Sequence, residues 1–165
     1  FIHKLKDVEC FEETKRELAK NKTDREKIGE RIKTIRKKIG SAKEAKKYSY
    51  APYSNFHVGA ALYCKDGSIY TGCNIENAAF TPTNCAERTA VFKAVSEGKK
   101  DFLAIAVVGD REEPLTPCGV CRQVLTEFVD GSTFEVIMED GAGGIKVMKL
   151  EELFPASFSP KDLQS

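Results

Sequence analysis

The chain has 165 residues, of which 41% are apolar and 31% are charged, and its formal net charge is +1. This length fits one ordinary domain with a small appendage, and the apolar fraction is sufficient for a folded core. The near-neutral balance gives no basis for a nucleic-acid partner or an anionic membrane surface. A membrane span is also not expected, because the apolar run from Leu103 to Val108 is far too short to cross a bilayer.

The first 20 residues are charged and lack the apolar segment of a secretory signal peptide, so we expect a cytoplasmic protein. Thiols stay reduced in the cytosol. The six cysteines are therefore interpreted first as metal ligands or reactive groups rather than as disulfides.

Residues 1–40 form a charged extension that carries 13 Lys/Arg and 8 Asp/Glu. Helical spacing predicts an earlier helix with its apolar side at Leu5, Val8, Phe11 and Leu18. It also predicts a second helix with a packing face at Ile28, Ile32, Ile35 and Ile39. We expect Gly40 to end this second helix, and a third short helix to run from about Lys43 to Ala51, before Pro52.

From Phe56 onward the pattern changes to a hairpin followed by alternating helices and strands. The predicted strands span residues 56–63, 68–75, 103–108, 134–138 and 145–148. The predicted helices between and after them span residues 84–97, 118–129 and 151–153. This order predicts an α/β fold with a mixed sheet of about five strands and helices on its faces. We expect an extension over residues 1–40 and one domain over residues 41–165.

Two short cysteine motifs carry the chemistry, Asn84-Cys85-Ala86-Glu87 and Pro117-Cys118-Gly119-Val120-Cys121. Each is expected at the first turn of a helix, with Asn84 as an N-cap and Pro117 at the first helical position. The partial positive charge of a helix N-terminus favours thiolate over thiol. Three thiolates from two helix starts can hold a zinc ion at about 2.3 Å each.

Three protein ligands leave the fourth zinc position open, which is typical of a catalytic rather than a structural site. Water bound there has its pKa lowered towards about 7. Glu87, two residues after Cys85, is predicted to lie beside the metal and to act as a general acid and base. Arg88 is expected to donate hydrogen bonds to the thiolates and so offset their charge, and Arg122 is a weaker candidate for the same role.

The cysteine motifs are similar to the signature of the zinc deaminases, Cys-Ala-Glu followed by Pro-Cys-x-x-Cys. The flanking segments resemble the small homotetrameric cytidine deaminases of the three-cysteine type. These segments are Ala51-Pro52-Tyr53-Ser54-Asn55-Phe56, Gly72-Cys73-Asn74-Ile75-Glu76-Asn77-Ala78 and Glu152-Leu153-Phe154-Pro155. The resemblance covers roughly residues 41–163, and the extension over residues 1–40 is a departure from the compact family.

The resemblance implies a three-layer α/β/α fold and a hydrolase that deaminates free cytidine and deoxycytidine to uridine and deoxyuridine in pyrimidine salvage. It implies one Zn²⁺ per subunit, held by Cys85, Cys118 and Cys121. The substrate is a small nucleoside, and the implied assembly is a homotetramer with shared active sites. Phe80 stands where similar enzymes often have Tyr, which removes a hydroxyl contact with the 5′ side of the sugar.

The resemblance also implies the substrate contacts. Phe56 would pack near the pyrimidine, and the backbone of Ala86 would contact the base. Asn74 and Glu76 would form hydrogen bonds with the ribose 3′-hydroxyl. Phe158 would reach into the site of a neighbouring subunit.

Other interpretations of these residues remain open in the sequence. Glu87 fits a helix cap, and Cys118-x-x-Cys121 fits a redox pair or half of a zinc ribbon whose fourth ligand is Cys64 or Cys73. A related deaminase acting on a nucleoside analogue or on RNA is one alternative function. A non-catalytic interaction module stabilised by zinc is another, and the metal dependence of folding distinguishes it from an enzyme.

Overall fold

The structure is a computed structural model that describes residues 22–163. The predicted helix with its apolar side at Leu5 to Leu18 lies outside the described residues. The chain divides into two compact units between Lys37 and Lys38. Within residues 22–163 no helix has the length and apolar character that a membrane crossing requires.

The first described helix, α1, runs without interruption from Lys22 to Lys46. The predicted end at Gly40 and the separate helix from about Lys43 to Ala51 are therefore wrong. Ile39, Ala42 and Ala45 are buried, with 3%, 0% and 8% of their surfaces exposed, respectively. Burying this face outweighs the cost of about 1 kcal/mol that a glycine adds to a helix interior.

Five strands form one mixed sheet in the order β2-β1-β3-β4-β5. They are β1 (Val58–Cys64), β2 (Ile69–Cys73), β3 (Phe102–Gly109), β4 (Glu135–Glu139) and β5 (Ile145–Lys149). The central strands β3 and β4 are parallel, and the other neighbouring pairs are antiparallel. The predicted mixed sheet of about five strands is confirmed, with strand ends that differ by one or two residues.

Helices α2 (Ala86–Ser96), α3 (Gly119–Thr126) and α4 (Leu150–Leu153) follow in chain order, and a 3₁₀ turn spans Pro160–Leu163. The apolar core beneath α2 contains alternate residues of the central strands, among them Leu62, Ile105 and Val107, all at 0% exposure. Because alternate side chains of a strand point to the same face, these buried residues show that one face of the sheet is fully covered.

Two glycines show that helices cover both faces of the sheet. A Cβ on Gly59 of β1 would collide with the Ala42 carbonyl oxygen and lie 2.6 Å from the Lys46 nitrogen, both in α1. A Cβ on Gly72 of β2 would collide with α2, where it would lie 2.5 Å from the nitrogen of Ala90. Because Gly72 is directly opposite Ala60, Gly59 and Gly72 point to opposite faces. The three-layer α/β/α arrangement is thereby confirmed.

Candidate metal centre and active site

Cys85 and Cys118 occupy the N-cap positions of α2 and α3, each with an extended backbone. The predictions of Asn84 as the N-cap and Pro117 as the first helical residue are therefore wrong, because both helices begin later. Asn84 instead pairs through its backbone with Ile75 and donates its Nδ2 hydrogen to the Thr89 hydroxyl at 3.1 Å. This arrangement brings two sulfur atoms to the positive ends of two helices.

The sulfur atoms of Cys85, Cys118 and Cys121, hereafter the cysteine cluster, all lie within 4.8 Å of one another. Cys118 Sγ is 3.8 Å from Cys85 Sγ and 3.5 Å from Cys121 Sγ. Tetrahedral zinc with Zn–S bonds of about 2.3 Å needs sulfur pairs about 3.8 Å apart, whereas a disulfide needs about 2.05 Å. The spacing fits a zinc ion and excludes disulfides within the cluster.

No fourth cysteine joins this cluster from the described part of the chain. Cys64 is buried in β1, and the Cys73 thiol donates to the Tyr48 carbonyl at 3.3 Å. The zinc-ribbon interpretation, which needs a fourth ligand, therefore finds no support. The three cysteines form a zinc site with three protein ligands.

The pKa values of the thiols in the cluster depend on one another and on a neighbouring arginine. A hydrogen bond from Cys121 and the guanidinium of Arg88 lower the pKa of the Cys85 thiol to about 5, although burial opposes this. The same hydrogen bond, together with burial, raises the pKa of Cys121. One thiolate is thus favoured before metal binds, and a bound cation favours all three.

Arg88 lies beside the cluster, with Nη2 3.5 Å from Cys85 Sγ and 3.3 Å from the Thr83 carbonyl oxygen. Its Nε atom is buried and has no hydrogen-bond partner. A cationic donor that is incompletely paired fits a site that gains negative charge when three thiolates form.

Arg122 does not contact the cluster directly. Its Nε donates to the Pro117 carbonyl at 2.7 Å and its Nη1 to the Leu153 carbonyl at 2.5 Å. The next residue, Gln123, donates to the Phe158 carbonyl at 2.8 Å. These two residues of α3 hold the turn before Cys118 and the C-terminal segment, a role for which the sequence gives no signal.

Glu87 lies in the first turn of α2 and is only 5% exposed. Burial raises the pKa of its carboxyl group to about 7, and the charge on Cys85 adds to this effect. Cys85, the N-cap, makes no side-chain capping hydrogen bond, and Glu87 is the second helical residue rather than the third. The capping-box interpretation of Asn84 and Glu87 therefore does not hold, because the box pairs the N-cap with the third helical residue.

Ala86, at 0% exposure, separates Cys85 from Glu87 at the start of α2. Phe158 lies far along the chain on the C-terminal segment, with 58% of its surface exposed. Phe56 is half-buried and packs against the central core. The structure thus brings Ala86 to the cysteine cluster and leaves Phe158 on the surface.

A second group of side chains lies around the segment that precedes β1. Asn74 donates from Nδ2 to the Phe56 carbonyl at 2.8 Å, and its Oδ1 accepts from the Val58 N–H at 2.8 Å and the Ser49 hydroxyl at 2.5 Å. We call the side chains of Ser49, Ser54, Asn74 and Glu76, with the backbone of Phe56, the serine–amide network.

Glu76 forms the other half of the serine–amide network. Its carboxylate accepts from the backbone N–H groups of Tyr53 at 2.9 Å and Ser54 at 3.2 Å, and from the Ser54 hydroxyl. The Ser54 oxygen in turn accepts from the Phe56 N–H at 3.1 Å. The Ser54 hydroxyl lowers the pKa of Glu76, with some opposition from desolvation. Phe56, Asn74 and Glu76, which the sequence predicted as substrate contacts, thus belong to one connected group.

A cavity of about 430 Å³ opens beside this network and is lined by Tyr53, Ser54, Glu76, Phe80 and Thr83. Phe80 is 75% exposed and meets Tyr53 edge-on, with ring centroids 6.5 Å apart. The Thr83 carbonyl, which accepts from Arg88, connects the cavity wall to the cysteine cluster. Ser49, Ser54 and Thr83 contact these groups in the structure, although no sequence signal assigned them a role.

Comparisons with known proteins agree with this geometry. Residues 33–136 match the model of the family described as "Cytidine and deoxycytidylate deaminase zinc-binding region". The cytidine deaminase of Sporosarcina psychrophila is 52% identical over 129 residues, covering 78% of this chain and 94% of the relative. A probable cytidine deaminase of Dictyostelium discoideum is 43% identical over 130 residues, or 78% of this chain and 86% of the relative.

Solved structures share the fold. The crystal structure of cytidine deaminase from Burkholderia pseudomallei superposes with a TM-score of 0.72 at 46% identity, covering 74% of this chain and 98% of that one. The cytidine deaminase from Mycobacterium tuberculosis gives a TM-score of 0.63 at 39% identity, covering 73% and 93% of the two chains. Since the identity extends over almost the whole length of these proteins and their fold is shared, the chain belongs to the cytidine and deoxycytidylate deaminase family of zinc-binding enzymes.

Proposed function

We propose that this protein catalyses the zinc-dependent hydrolytic deamination of free cytidine and deoxycytidine to uridine and deoxyuridine, with release of ammonia. The main support for this proposal is the buried carboxyl group of Glu87, which lies two residues after Cys85 of the three-cysteine centre. The relatives named cytidine deaminase support the same reaction. Its place in metabolism is pyrimidine salvage.

The cysteine cluster holds the metal, one Zn²⁺ per subunit. Cys85 and Cys118 are fixed by the starts of two helices, and Cys121 is fixed by complete burial. When bound, zinc supplies a Lewis acid that lowers the pKa of water at its open position to about 7. Arg88 donates to the Cys85 sulfur and balances the negative charge of the thiolates.

Glu87 is the catalytic residue that moves protons. Its carboxylate takes one proton from the attacking water and delivers it to N3 as the C4–O bond forms. It then takes the proton that remains on the added hydroxyl group and delivers it to the amino group, which leaves as ammonia as the C4–N bond breaks. Burial excludes bulk water from this carboxyl group, so protons pass between the attacking water, Glu87 and the substrate without exchange with solvent. A general acid and base of this kind contributes about 10²–10⁴-fold in rate.

The remaining assignments concern substrate recognition. Phe56 packs against the pyrimidine, and the backbone of Ala86 contacts the base. Asn74 and Glu76 bind the ribose 3′-hydroxyl. Asn74 contacts the backbone of Phe56 directly, and Glu76 contacts it through Ser54. These connections support the assignment, because the sugar and the base then bind to one segment of the chain.

Assembly as a homotetramer with shared active sites is part of the proposal, with Phe158 reaching the neighbouring subunit. Exposed apolar side chains at Phe92, Val120 and Phe158, at 48%, 57% and 58% exposure, support a surface that is covered by other subunits.

We further propose a cytoplasmic location, because free thiolates are needed for zinc and the cytosol keeps thiols reduced. In this proposal, residues 1–40 form a helical extension, and residues 41–165 form the deaminase domain. The described helix α1 spans this boundary without a break.

The test compares the wild-type protein with Glu87→Gln by ammonia release and by the fall in ultraviolet absorbance of cytidine and deoxycytidine. We expect turnover by the wild type and a loss of about 10²–10⁴-fold in Glu87→Gln, with zinc content unchanged. Glu97→Gln, at the exposed end of the same helix, is the matched control and should retain full activity.

Absence of turnover on both nucleosides, in protein that contains zinc, would contradict the proposal. The nucleoside-analogue and RNA alternatives would then be tested with the same ammonia assay. Binding of RNA by the basic extension would weaken steeply with salt.

A further inference from the structure

Ser49 lies just beyond the C-terminal end of α1, and its backbone is fixed on both sides. Its N–H donates to the Lys46 carbonyl at 3.0 Å, and the N–H of the next residue, Tyr50, donates to the Asn74 carbonyl at 3.0 Å. The hydroxyl group is therefore carried by ordered main chain. It donates to Asn74 Oδ1 at 2.5 Å, across 25 residues of sequence.

The backbone already determines which way the Asn74 amide faces. The Val58 N–H can only donate, so it requires Oδ1, and the Phe56 carbonyl can only accept, so it requires Nδ2. An amide oxygen has two lone pairs, and the Ser49 hydroxyl occupies the second. With both lone pairs occupied, Asn74 has no acceptor capacity left and offers a substrate only the second Nδ2 hydrogen.

Glu76 has the opposite character. As a carboxylate with a lowered pKa it only accepts hydrogen bonds. A sugar hydroxyl group bound by both side chains, as the proposed function has it, therefore has one arrangement, in which its oxygen accepts from Asn74 and its hydrogen is donated to Glu76. A sugar hydroxyl satisfies both sides at once, whereas a sugar lacking it leaves a donor and an acceptor without partners.

The geometry points to Ser49 as a positioning residue for sugar recognition, which makes Asn74 a pure hydrogen-bond donor towards the 3′-hydroxyl. This inference rests on the proposed function, because it takes Asn74 and Glu76 as the contacts of the 3′-hydroxyl. Ser49 itself does not touch the substrate. Its removal leaves the two backbone hydrogen bonds of Asn74 in place, so the fold does not depend on it.

The experiment measures kcat and KM of the zinc-loaded enzyme for cytidine and for 3′-deoxycytidine in four proteins. These are the wild type, Ser49→Ala, Ser49→Thr and the control Ser68→Ala. Ser68 is also half-buried and donates to a side-chain oxygen, that of Asp66, in the turn between β1 and β2. The control thus removes an equivalent hydrogen bond away from the site.

We expect Ser49→Ala to raise KM for cytidine about three- to tenfold, with kcat changed by less than about twofold, because Asn74 loses one of its three hydrogen bonds and its Oδ1 regains acceptor capacity. The KM of Ser49→Ala for 3′-deoxycytidine should equal that of the wild type, because this nucleoside lacks the hydroxyl group that contacts Asn74. Ser49→Thr restores the donor and should recover the KM for cytidine, and Ser68→Ala should behave as the wild type.

An equal rise in KM for both nucleosides in Ser49→Ala would overturn the inference, because it would indicate general damage to the pocket. An unchanged KM for cytidine would overturn it as well, while leaving the proposed function intact. Failure of the proposed function would look different, since the wild type itself would not turn over cytidine.

Discussion

The cysteine cluster lies at the ends of two helices, whereas the serine–amide network lies on irregular segments that precede β1 and follow β2. Cys121 is 0% exposed, and Cys85 and Cys118 are held as N-caps. The network instead includes the exposed Ser54 and the half-buried Glu76, and it is held by side-chain hydrogen bonds to backbone groups. One region is fixed by two helix ends and one buried cysteine, and the other is fixed by a set of polar contacts.

This difference suggests a division of work in the site. Metal binding and proton transfer need positions that are accurate to a fraction of an ångström, and rigid helix ends provide them. Recognition of a sugar needs donors and acceptors that a short segment can present. Changes in the cluster should therefore alter metal content and kcat, and changes in the network should alter KM.

Removal of a metal ligand should have the largest effect, and it should affect the cysteine cluster without affecting the serine–amide network. We expect Cys121→Ser to lose zinc and to reduce turnover by at least about a thousandfold, because the Lewis acid contributes several kcal/mol. The apolar core beneath α2 contains no metal ligand, so the metal-free protein should remain folded. Metal analysis, the deaminase assay and circular dichroism measure these outcomes.

The matched control for this change is Cys73→Ser, at a half-buried cysteine outside the cluster, which should retain zinc. Unfolding of the wild type when zinc is removed, in a protein that shows no deaminase activity, would favour the zinc-stabilised interaction module instead.

Gly59 and Gly72, each of which lies directly under a helix, allow the two regions to be disturbed separately. Gly72→Ala should force α2 away from β2, and Gly59→Ala should force α1 away from β1, because each added Cβ meets backbone atoms of the helix. Each should lower the free energy of unfolding by about 3 kcal/mol or more. Denaturant unfolding measures this loss.

The two glycine variants should differ in function at temperatures where both stay folded. Gly72→Ala displaces the helix that carries Cys85 and Glu87, so it should release zinc to a chelator faster. Gly59→Ala displaces the end of α1 next to Ser49, so it should mainly raise KM. Identical effects of both variants on zinc release would contradict the division between the two regions.

The smallest expected effect concerns Asp110, which accepts from the His57 N–H at 2.9 Å and pairs with Lys46. Although partial desolvation opposes ionisation, these partners hold the pKa of Asp110 below its usual range. A lowered pKa in the folded state adds stability above the unfolded value of about 3.9, and this stability is lost as pH falls through the folded pKa.

We therefore expect Asp110→Asn to lower the free energy of unfolding at pH 7 by less than about 1 kcal/mol, because the pair is partly exposed. The difference from the wild type should shrink as pH falls below about 4. Urea unfolding at several pH values measures it, and a difference that grows in acid would contradict the assignment.

Much of this architecture could be predicted from sequence, because the cues were local. Strand periodicity located all five strands, and the two cysteine motifs located the ligands. The failures arose where tertiary contacts outweighed local preference. Gly40 did not end α1, because Ile39 and Ala42 are buried on the same helix. Asn84 did not cap α2, because its backbone pairs with Ile75 and its side chain binds Thr89.

The residues that the sequence could not assign act through distant partners. Ser49 contacts Asn74 across 25 residues, and Arg122 contacts Leu153 across 31. A serine after a helix or an arginine within one has no distinctive pattern. Only the folded chain shows which carbonyl or amide each one meets.

The position of β3 between the two cysteine motifs has a consequence for the order of folding. Cys85 and Cys118 lie 33 residues apart, and β3, which separates them, pairs with β1 and β4 in the middle of the sheet. Contacts between such distant segments form late, because closing long loops costs entropy before the contacts stabilise the chain. A nascent chain must therefore be synthesised past Cys121 and pair its central strands before the complete site exists. We therefore expect zinc to bind after the central strands have paired, rather than to nucleate their pairing.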